Sequence, residues 1–313
     1  MTIFYIVLIF IACLILIKSA DLVIRSLTKI AAILRWSEFS VSFIIVAVAT
    51  SLPEIFIGIT SAAHKIPNLS LGNVVGANII NLTLILGLVA IVGRGLRPSS
   101  NTTQKNIFYA LVLALFPMLL ALDKFISRID GIIILTVFFF YILLMIERKK
   151  QFSKIYNNVS KKDFSKNIFY FIIGVILLIV SAEAVTRTAQ ILALNLNFPL
   201  ILSGLLIVSL GTTLPELTFG LRSIMQGHKE MPLGSSLGTI VANSCLALGL
   251  AVVIYPIRII DFNQFLLMFA FLIIASVFFA IFSYTKKEIS IYEGAGLIIF
   301  YIIFIMIQIL YKF

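Results

Sequence analysis

Two glutamates in long apolar stretches are the residues of this sequence with the clearest chemical potential. Each ends a similar hexapeptide: Ala49-Thr50-Ser51-Leu52-Pro53-Glu54 in the first half, and Gly211-Thr212-Thr213-Leu214-Pro215-Glu216 in the second. An ionised carboxylate inside an apolar segment is costly unless it faces a cavity or a partner. No basic residue adjoins either glutamate in the sequence. We therefore expect a bound cation to compensate their charge.

The neighbouring residues add further oxygen ligands. Proline cannot donate a hydrogen bond to the carbonyl four residues earlier, so Pro53 loosens the carbonyl of Ala49, and Pro215 that of Gly211. Hydroxyl and amide groups lie in the same segments: Thr50, Ser51, Thr212, Thr213, Thr239, Asn81 and Asn243. Calcium prefers about six to eight oxygen ligands, whereas zinc, copper and iron prefer nitrogen or sulfur. The residue types favour calcium, and sodium can compete for the same oxygens.

The segments that carry these residues are long and apolar enough to cross a membrane. Apolar residues make up 61% of the 313-residue chain and charged residues 12%, with a mean hydropathy of +1.14. A soluble domain would need more charge on its surface. Spanning helices need about 20 apolar residues. We predict an all-α membrane protein with ten transmembrane helices, at 3–24, 38–63, 71–93, 106–122, 130–147, 167–186, 198–225, 232–256, 262–283 and 291–311.

The two halves of the chain are copies of one unit. Residues 45–88 match residues 207–250 at 16 of 44 positions without a gap, including proline, glutamate, glycine and asparagine. Five spans in each half, an odd number, make the second copy inverted in the membrane, and such repeats place their binding site near the midplane. We predict repeats at 1–147 and 167–313, joined by a basic linker at 148–166.

The basic residues are divided unequally between the two sides of this arrangement. Loops after odd-numbered spans carry 17 Lys and Arg residues, and the other side carries six. The positive-inside rule makes the 17-residue side cytoplasmic. We therefore expect a multi-pass protein of the cell membrane with both termini extracellular and the linker cytoplasmic. The net charge of +11 is then explained by membrane topology. We expect the lipid bilayer to be the partner of the protein, and we infer no nucleic acid and no obligate protein partner.

Other polar and small residues have structural interpretations. Four glycines on a four-residue period are typical of close helix packing: Gly72, Gly76, Gly234 and Gly238. Two acidic residues precede an arginine by four positions, which predicts ion pairs near helix ends: Asp21 with Arg25, and Glu183 with Arg187. We expect His64 and His228, beside loops, to be solvated.

The hexapeptide pair, each followed by a glycine-led polar helix, resembles the alpha repeats of the sodium/calcium exchanger family. The likeness to its short prokaryotic members covers essentially the whole chain. It implies secondary antiport of calcium against sodium by alternating access, in which helices one and six slide across the core. The protein would then be a transporter and not an enzyme. The ions would be its transported substrates, and it would need no cofactor.

The resemblance also implies a set of ion ligands between helices two, three, seven and eight. From the first half these would be Ala47, Thr50, Ser51, Glu54 and Asn81. From the second half they would be Ser209, Thr212, Thr213, Glu216, Thr239 and Asn243. Ala47 and Ser209 would act through their backbone carbonyls.

Some departures from the family pattern leave the counter-ion open. Ala77 stands where sodium-coupled members usually have serine, Thr213 and Thr239 replace serine, and Asn243 stands where some members have aspartate. Calcium/proton antiport is the close alternative, with one of the two glutamates taking the proton. An intramembrane enzyme using paired acids is disfavoured because no nucleophile or zinc triad lies nearby. A channel is disfavoured because paired broken helices favour alternating access.

Overall fold

The computed structural model describes residues 2–33, 47–96, 101–147, 161–195, 199–225, 231–285 and 289–312, which are almost entirely helical. The first half contains α1 Thr2–Ile33, α2 Ala47–Thr50, α3 Leu52–Ala63, α4 Pro67–Ile80, α5 Leu86–Val92, α6 Asn101–Leu120 and α7 Arg128–Glu147. The second half contains α8 Lys161–Asn195, α9 Leu200–Ser203, α10 Ser209–Thr212, α11 Leu214–Met225, α12 Met231–Val241, α13 Leu248–Ile254, α14 Phe262–Thr285 and α15 Ile291–Lys312. The prediction of an all-α membrane protein is confirmed.

Six stretches of the described residues are helical, long and apolar enough to span a membrane. They are Pro67–Val92, Ser165–Asn195, Leu200–Met225, Pro232–Ile254, Phe262–Ser283 and Ile291–Tyr311. The count of ten spans stays a prediction, because residues 38–46 of the second predicted span lie outside the described residues. Residues 148–160 of the predicted linker also lie outside them, and residues 161–166 form the start of α8.

Each glutamate follows a break in its helix at the same place in the two repeats. Between α2 and α3, Ser51 has φ −78° and ψ 0°, and between α10 and α11, Thr213 has φ −85° and ψ 0°. The prolines that follow cannot donate to the preceding helical turn, so a regular helix cannot continue through them. The breaks leave Glu54 and Glu216 in the first turns of α3 and α11.

Within the described ranges, three π-helical turns interrupt the helices near these breaks. They are π1 Asn81–Ile85, π2 Gly204–Val208 and π3 Ala242–Ala247. Turns π1 and π3 occupy equivalent places in the two repeats, because Asn81 aligns with Asn243. Such turns widen the backbone and occur often at functional sites. No pattern in the sequence predicted these turns.

Glycines bring α4 into backbone contact with the segment that leads to Glu216. A methyl group at Gly72 would lie 1.9 Å from the carbonyl oxygen of Ile201, and one at Gly76 would lie 2.4 Å from that of Leu205. Close packing is therefore confirmed for these two glycines. At Gly234 a methyl group would meet no described atom within 4 Å. The residues that the repeat would place against it, 39 and 43, lie outside the described part of the chain.

Short contacts join the ends of helices across the two halves. Strand β1, Phe125–Ile126, pairs antiparallel with β2, Ile257–Arg258. These loops follow the fourth and eighth predicted spans. Elsewhere a bridge joins Leu96 to Ile289, after the third and ninth spans. In each of the two contacts, the predicted topology places both loops on the same side of the membrane.

The first helices of the two repeats pack against each other as a separate layer. Helices α1 and α8 are in contact along their lengths. Their shared apolar cluster includes Ile9, Leu16, Ala182 and Val185, and it is distinct from the larger cluster around α4, α12 and α14. The broken helices thus lie between this layer and the main core.

Candidate functional site

Glu54 and Glu216 meet in the interior of the protein. Glu54 is 0% and Glu216 3% exposed, and the two carboxylates are close enough to repel each other. A threonine hydroxyl from the opposite repeat faces each one, Thr212 beside Glu54 and Thr50 beside Glu216. None of the four carboxylate oxygens accepts a hydrogen bond of normal geometry from a described residue. Two buried carboxylates with no basic partner among the described residues could hold a cation, which would compensate their charge.

The threonines link the repeats around these carboxylates. The hydroxyl oxygens of Thr50 and Thr239 are 3.1 Å apart and share a hydrogen bond. The equivalent pair in the other half would be Thr212 with Ala77, but alanine has no hydroxyl. Thr212 instead donates a hydrogen bond to the Asn73 side-chain oxygen at 3.2 Å. The site is therefore only approximately symmetric.

Two asparagines present amide oxygens rather than amide nitrogens to the site. The Asn81 nitrogen donates to the Ala77 carbonyl at 2.9 Å, and the Asn243 nitrogen donates to the Asn78 side-chain oxygen at 3.3 Å. Both amide oxygens are buried and accept no hydrogen bond from a described residue. Each is therefore available to a cation.

Seven oxygen atoms of the predicted ligand residues are buried and have no hydrogen-bond partner among the described residues. They belong to Ser51, Glu54, Asn81, Glu216 and Asn243, and four of them are the carboxylate oxygens. Buried polar atoms are normally paired, so such a concentration indicates atoms that serve a ligand. Calcium accepts about six to eight oxygen ligands, and the donor set fits it.

The remaining predicted ligands also lie at the two helix breaks. Ser209 and Thr213 are at the break of the second repeat, and Ala47 begins the short helix before the break of the first repeat. Ser209 is fully buried, and its carbonyl accepts a hydrogen bond from the hydroxyl of Thr213 at 2.8 Å. The Thr212 hydroxyl lies 3.3 Å from the same carbonyl, but its one proton can be shared between this oxygen and that of Asn73 at most,. Ala47 begins α2, one turn before Ser51.

Asn73 is a further residue beside the site that was not predicted from the sequence. Asn73 is fully buried on α4, and its side-chain nitrogen has no acceptor among the described residues. Asn73 is not one of the residues that are identical in the two repeats, because the equivalent position in the second repeat is Ser235. Its position one residue after Gly72, on a helix expected to line the site, was the available signal.

A polar cluster outside the site joins the end of α3 to α8. The predicted ion pair between Arg187 and Glu183 is present, with nitrogen and oxygen 2.5 Å apart. The Nε2 atom of His64 also lies 2.7 Å from a carboxylate oxygen of Glu183, and both side chains are 32% exposed. His64 was expected to be merely solvated, so that expectation was incomplete. His228 lies outside the described residues.

A known protein family matches both halves of the chain. The family model described as "Sodium/calcium exchanger protein" matches residues 4–147 and 166–310. The sodium/calcium exchanger MaX1 of Methanosarcina acetivorans is 26% identical over 93% of this chain and 95% of its own length. An uncharacterized membrane protein of Methanocaldococcus jannaschii is 30% identical over 71% of this chain and 73% of its own length.

A solved structure also has this fold. The sodium-calcium exchanger NCX_Mj, soaked with 10 mM Na⁺ and no Ca²⁺, superposes with a TM-score of 0.70 and 27% identity. The match covers 98% of this chain and 99% of that one. The fold is therefore that of an all-helical membrane exchanger, and the protein is a cation/calcium antiporter rather than an enzyme. The chain belongs to the sodium/calcium exchanger family.

Proposed function

We propose that this chain exchanges Ca²⁺ for Na⁺ across the cell membrane by alternating access, with Glu54 and Glu216 as the carboxylate ligands of Ca²⁺. The observation that carries the proposal is the group of seven buried oxygens, contributed by both repeats, that have no hydrogen-bond partner in the described part of the chain. Two carboxylates match the charge of one divalent ion. Sodium prefers the same oxygen ligands, which supports competition for overlapping sites.

The proposed ligand set extends beyond the carboxylates to every predicted oxygen around them. Side-chain oxygens come from Thr50, Ser51, Asn81, Thr212, Thr213, Thr239 and Asn243, all of them at most 3% exposed. Backbone carbonyls come from Ala47 and Ser209. Sodium ions occupy flanking positions that share oxygens with the calcium position, so loading one ion weakens binding of the other.

Exchange of Ca²⁺ for protons is the second candidate, and one observation favours it. Ala77 is fully buried and offers no side-chain oxygen, and its carbonyl already accepts the Asn81 amide. The position flanking Glu54 thus has one oxygen fewer than its mirror image at Thr239. A sodium ion with an incomplete ligand shell pays a dehydration cost. Protonation of a glutamate would then replace sodium binding as the coupled event.

Calcium uptake into proteoliposomes tests both candidates. Parent protein is driven in turn by an outward sodium gradient and an outward proton gradient, and the larger uptake identifies the counter-ion. Glu54→Gln and Glu216→Gln should each abolish uptake under either gradient, because half of the compensating charge is lost in a poorly screened interior. Glu293→Gln, which alters the two hydrogen bonds that Glu293 accepts from the backbone nitrogen and the hydroxyl of Ser290 at the start of α15, is the matched control. Parent-like uptake by either site variant would exclude the proposed site.

We also propose that both termini are extracellular and that 148–166 is a cytoplasmic linker between repeats at 1–147 and 167–313. The support is the 17-to-6 division of basic residues,. A cysteine replacing Lys154 should react with a membrane-impermeant thiol reagent only from the cytoplasmic side, and one replacing Lys65 only from outside. The reverse labelling pattern would invert the orientation.

A further inference from the structure

A chain of hydrogen bonds runs from helix α6 to the ion-facing amide of Asn243. The Ser244 hydroxyl donates to the Ala114 carbonyl of α6 at 3.2 Å. The Asn78 side-chain nitrogen donates to the Ser244 oxygen at 2.6 Å. The Asn243 nitrogen then donates to the Asn78 side-chain oxygen at 3.3 Å. Asn78, Asn243 and Ser244 are all fully buried.

The direction of this chain follows from its first member. A backbone carbonyl can only accept a hydrogen bond, so the single proton of the Ser244 hydroxyl is used there. The Ser244 oxygen can then only accept, which turns the Asn78 nitrogen towards it. The Asn78 oxygen therefore faces Asn243 and requires its nitrogen. The Asn243 oxygen is left pointing away from Asn78, where it is buried and accepts no hydrogen bond from any residue that the structure describes.

A proline in α6 and a π turn bring the anchor of this chain into place. Pro117 lies inside α6, and it cannot donate to the Leu113 carbonyl four residues earlier,. The π3 turn carries Ser244 and Cys245 towards this loosened turn. There the Cys245 sulfur lies 3.7 Å from the Leu113 carbonyl oxygen, and the Ser244 hydroxyl donates to the carbonyl of the next residue, Ala114. Helix α6 is thereby connected to the ion site without contributing a ligand.

The first repeat orients its equivalent asparagine in a different way. Asn81 donates to the Ala77 carbonyl in its own helix, one turn earlier. The residues equivalent to Ser244 and Asn78 are Leu82 and Ile240, neither of which can form a hydrogen bond through its side chain. The chain of hydrogen bonds from Ala114 through Ser244 and Asn78, here called the relay, therefore orients Asn243 and has no counterpart at Asn81.

We infer that Ser244 and Asn78 are positioning residues that keep the amide oxygen of Asn243, rather than its nitrogen, directed at the transported cation. The inference rests on the proposed function, in which Asn243 is a ligand. An amide is nearly symmetric in shape, so packing alone does not distinguish its two ends. With the nitrogen turned inwards, its N–H groups would repel a cation. The relay supplies the directional information that the shape of the side chain lacks.

The test is a double-mutant cycle between Ser244→Ala and Asn243→Asp. Removing the Ser244 hydroxyl frees Asn78 to rotate, and the Ca²⁺ concentration that half-maximally stabilises the purified protein against heating should rise about fivefold, the factor expected from one neutral hydrogen bond. A carboxylate has oxygen at both ends and needs no orientation. In the Asn243→Asp background the side chain at position 243 cannot donate to the Asn78 oxygen, so Ser244→Ala removes no favourable orientation and should leave that concentration unchanged or lower it. The same titration is repeated with Na⁺.

The cycle separates positioning from a merely structural role and from failure of the site itself. A packing defect would act equally in both backgrounds, so equal effects, or no effect of Ser244→Ala in the parent, would overturn the inference. Cys245→Ala, which alters the same π turn at a side chain that faces the Leu113 carbonyl and takes no part in the hydrogen bonds of Asn78 described above, is the control and should keep parent affinity. Ser244→Cys, a weaker donor of similar shape, is the second variant and should give an intermediate affinity. Retained Ca²⁺ binding by Glu54→Gln would instead refute the proposed site.

Discussion

Adding one hydroxyl group at position 77 should change how strongly calcium transport depends on sodium. In the second repeat, the equivalent residue Thr239 shares a hydrogen bond with Thr50 across the repeats at 3.1 Å. In the first repeat, Ala77 leaves Thr212 without such a partner, and Thr212 bonds Asn73 instead. Ala77→Ser places a hydroxyl oxygen in the first repeat at the position equivalent to the Thr239 hydroxyl of the second.

The size of the effect follows from the ligand that sodium lacks. Ala77 is fully buried, so water cannot freely replace the missing oxygen. An interaction between a neutral polar group and a charge contributes about 1.5 kcal/mol or more when both are buried. We expect Ala77→Ser to lower the sodium concentration for half-maximal calcium uptake about tenfold. The mirror variant, Thr239→Ala, removes an oxygen and should raise that concentration by a similar factor.

The assay is calcium uptake into proteoliposomes across a sodium titration at fixed pH, for the parent, Ala77→Ser and Thr239→Ala. Thermal unfolding without cations shows whether either variant is folded. Strong sodium dependence in the parent that the serine leaves unchanged would refute the reasoning and put Ala77 outside the ion path. Uptake that responds to a proton gradient in the parent and shifts to sodium in Ala77→Ser would support it most directly.

Two further predictions concern packing and the cluster at the end of α3. Gly72→Ala should lower the free energy of unfolding by about 3 kcal/mol, because its methyl group would meet a backbone oxygen at 1.9 Å,. Gly296→Ala, with nothing described within 4 Å, is the control, and equal thermal unfolding of the two would contradict the prediction. A double-mutant cycle of His64→Ala and Glu183→Gln should give a coupling energy of about 0.5 kcal/mol by denaturant unfolding, since both side chains are partly exposed,. Zero coupling would show that the contact contributes nothing.

Local sequence was sufficient to predict the helix breaks but not the π turns. The breaks at Ser51 and Thr213 arise because a proline two residues later removes a donor, and this effect is visible in six residues of sequence,. A π turn inserts one residue into a helical turn, and hydrophobic periodicity changes little when both sides of a helix are buried. Turn π3 therefore appeared only in the structure.

Contacts over long sequence separations also escaped prediction. His64 and Glu183 are 119 residues apart, and Asn78 and Asn243 are 165 residues apart. Each residue alone has an ordinary interpretation, a solvated histidine or a packed asparagine. Only the packing of α3 on α8, and of α4 on π3, gives them a partner.

The sequence by itself determined the duplication, the apolar segments and the two buried glutamates, because these depend on residue type, order and spacing. It also determined the family, since the paired hexapeptides extend across both repeats. Tertiary structure decided which groups from the two repeats face each other: Thr50 with Thr239, Thr212 with Asn73, and the relay from Ala114 to Asn243. The physical reason is that a hydrogen bond has a direction and a reach of about 3 Å. Its partners are defined by the packing of separate helices, which no pattern within one helix records.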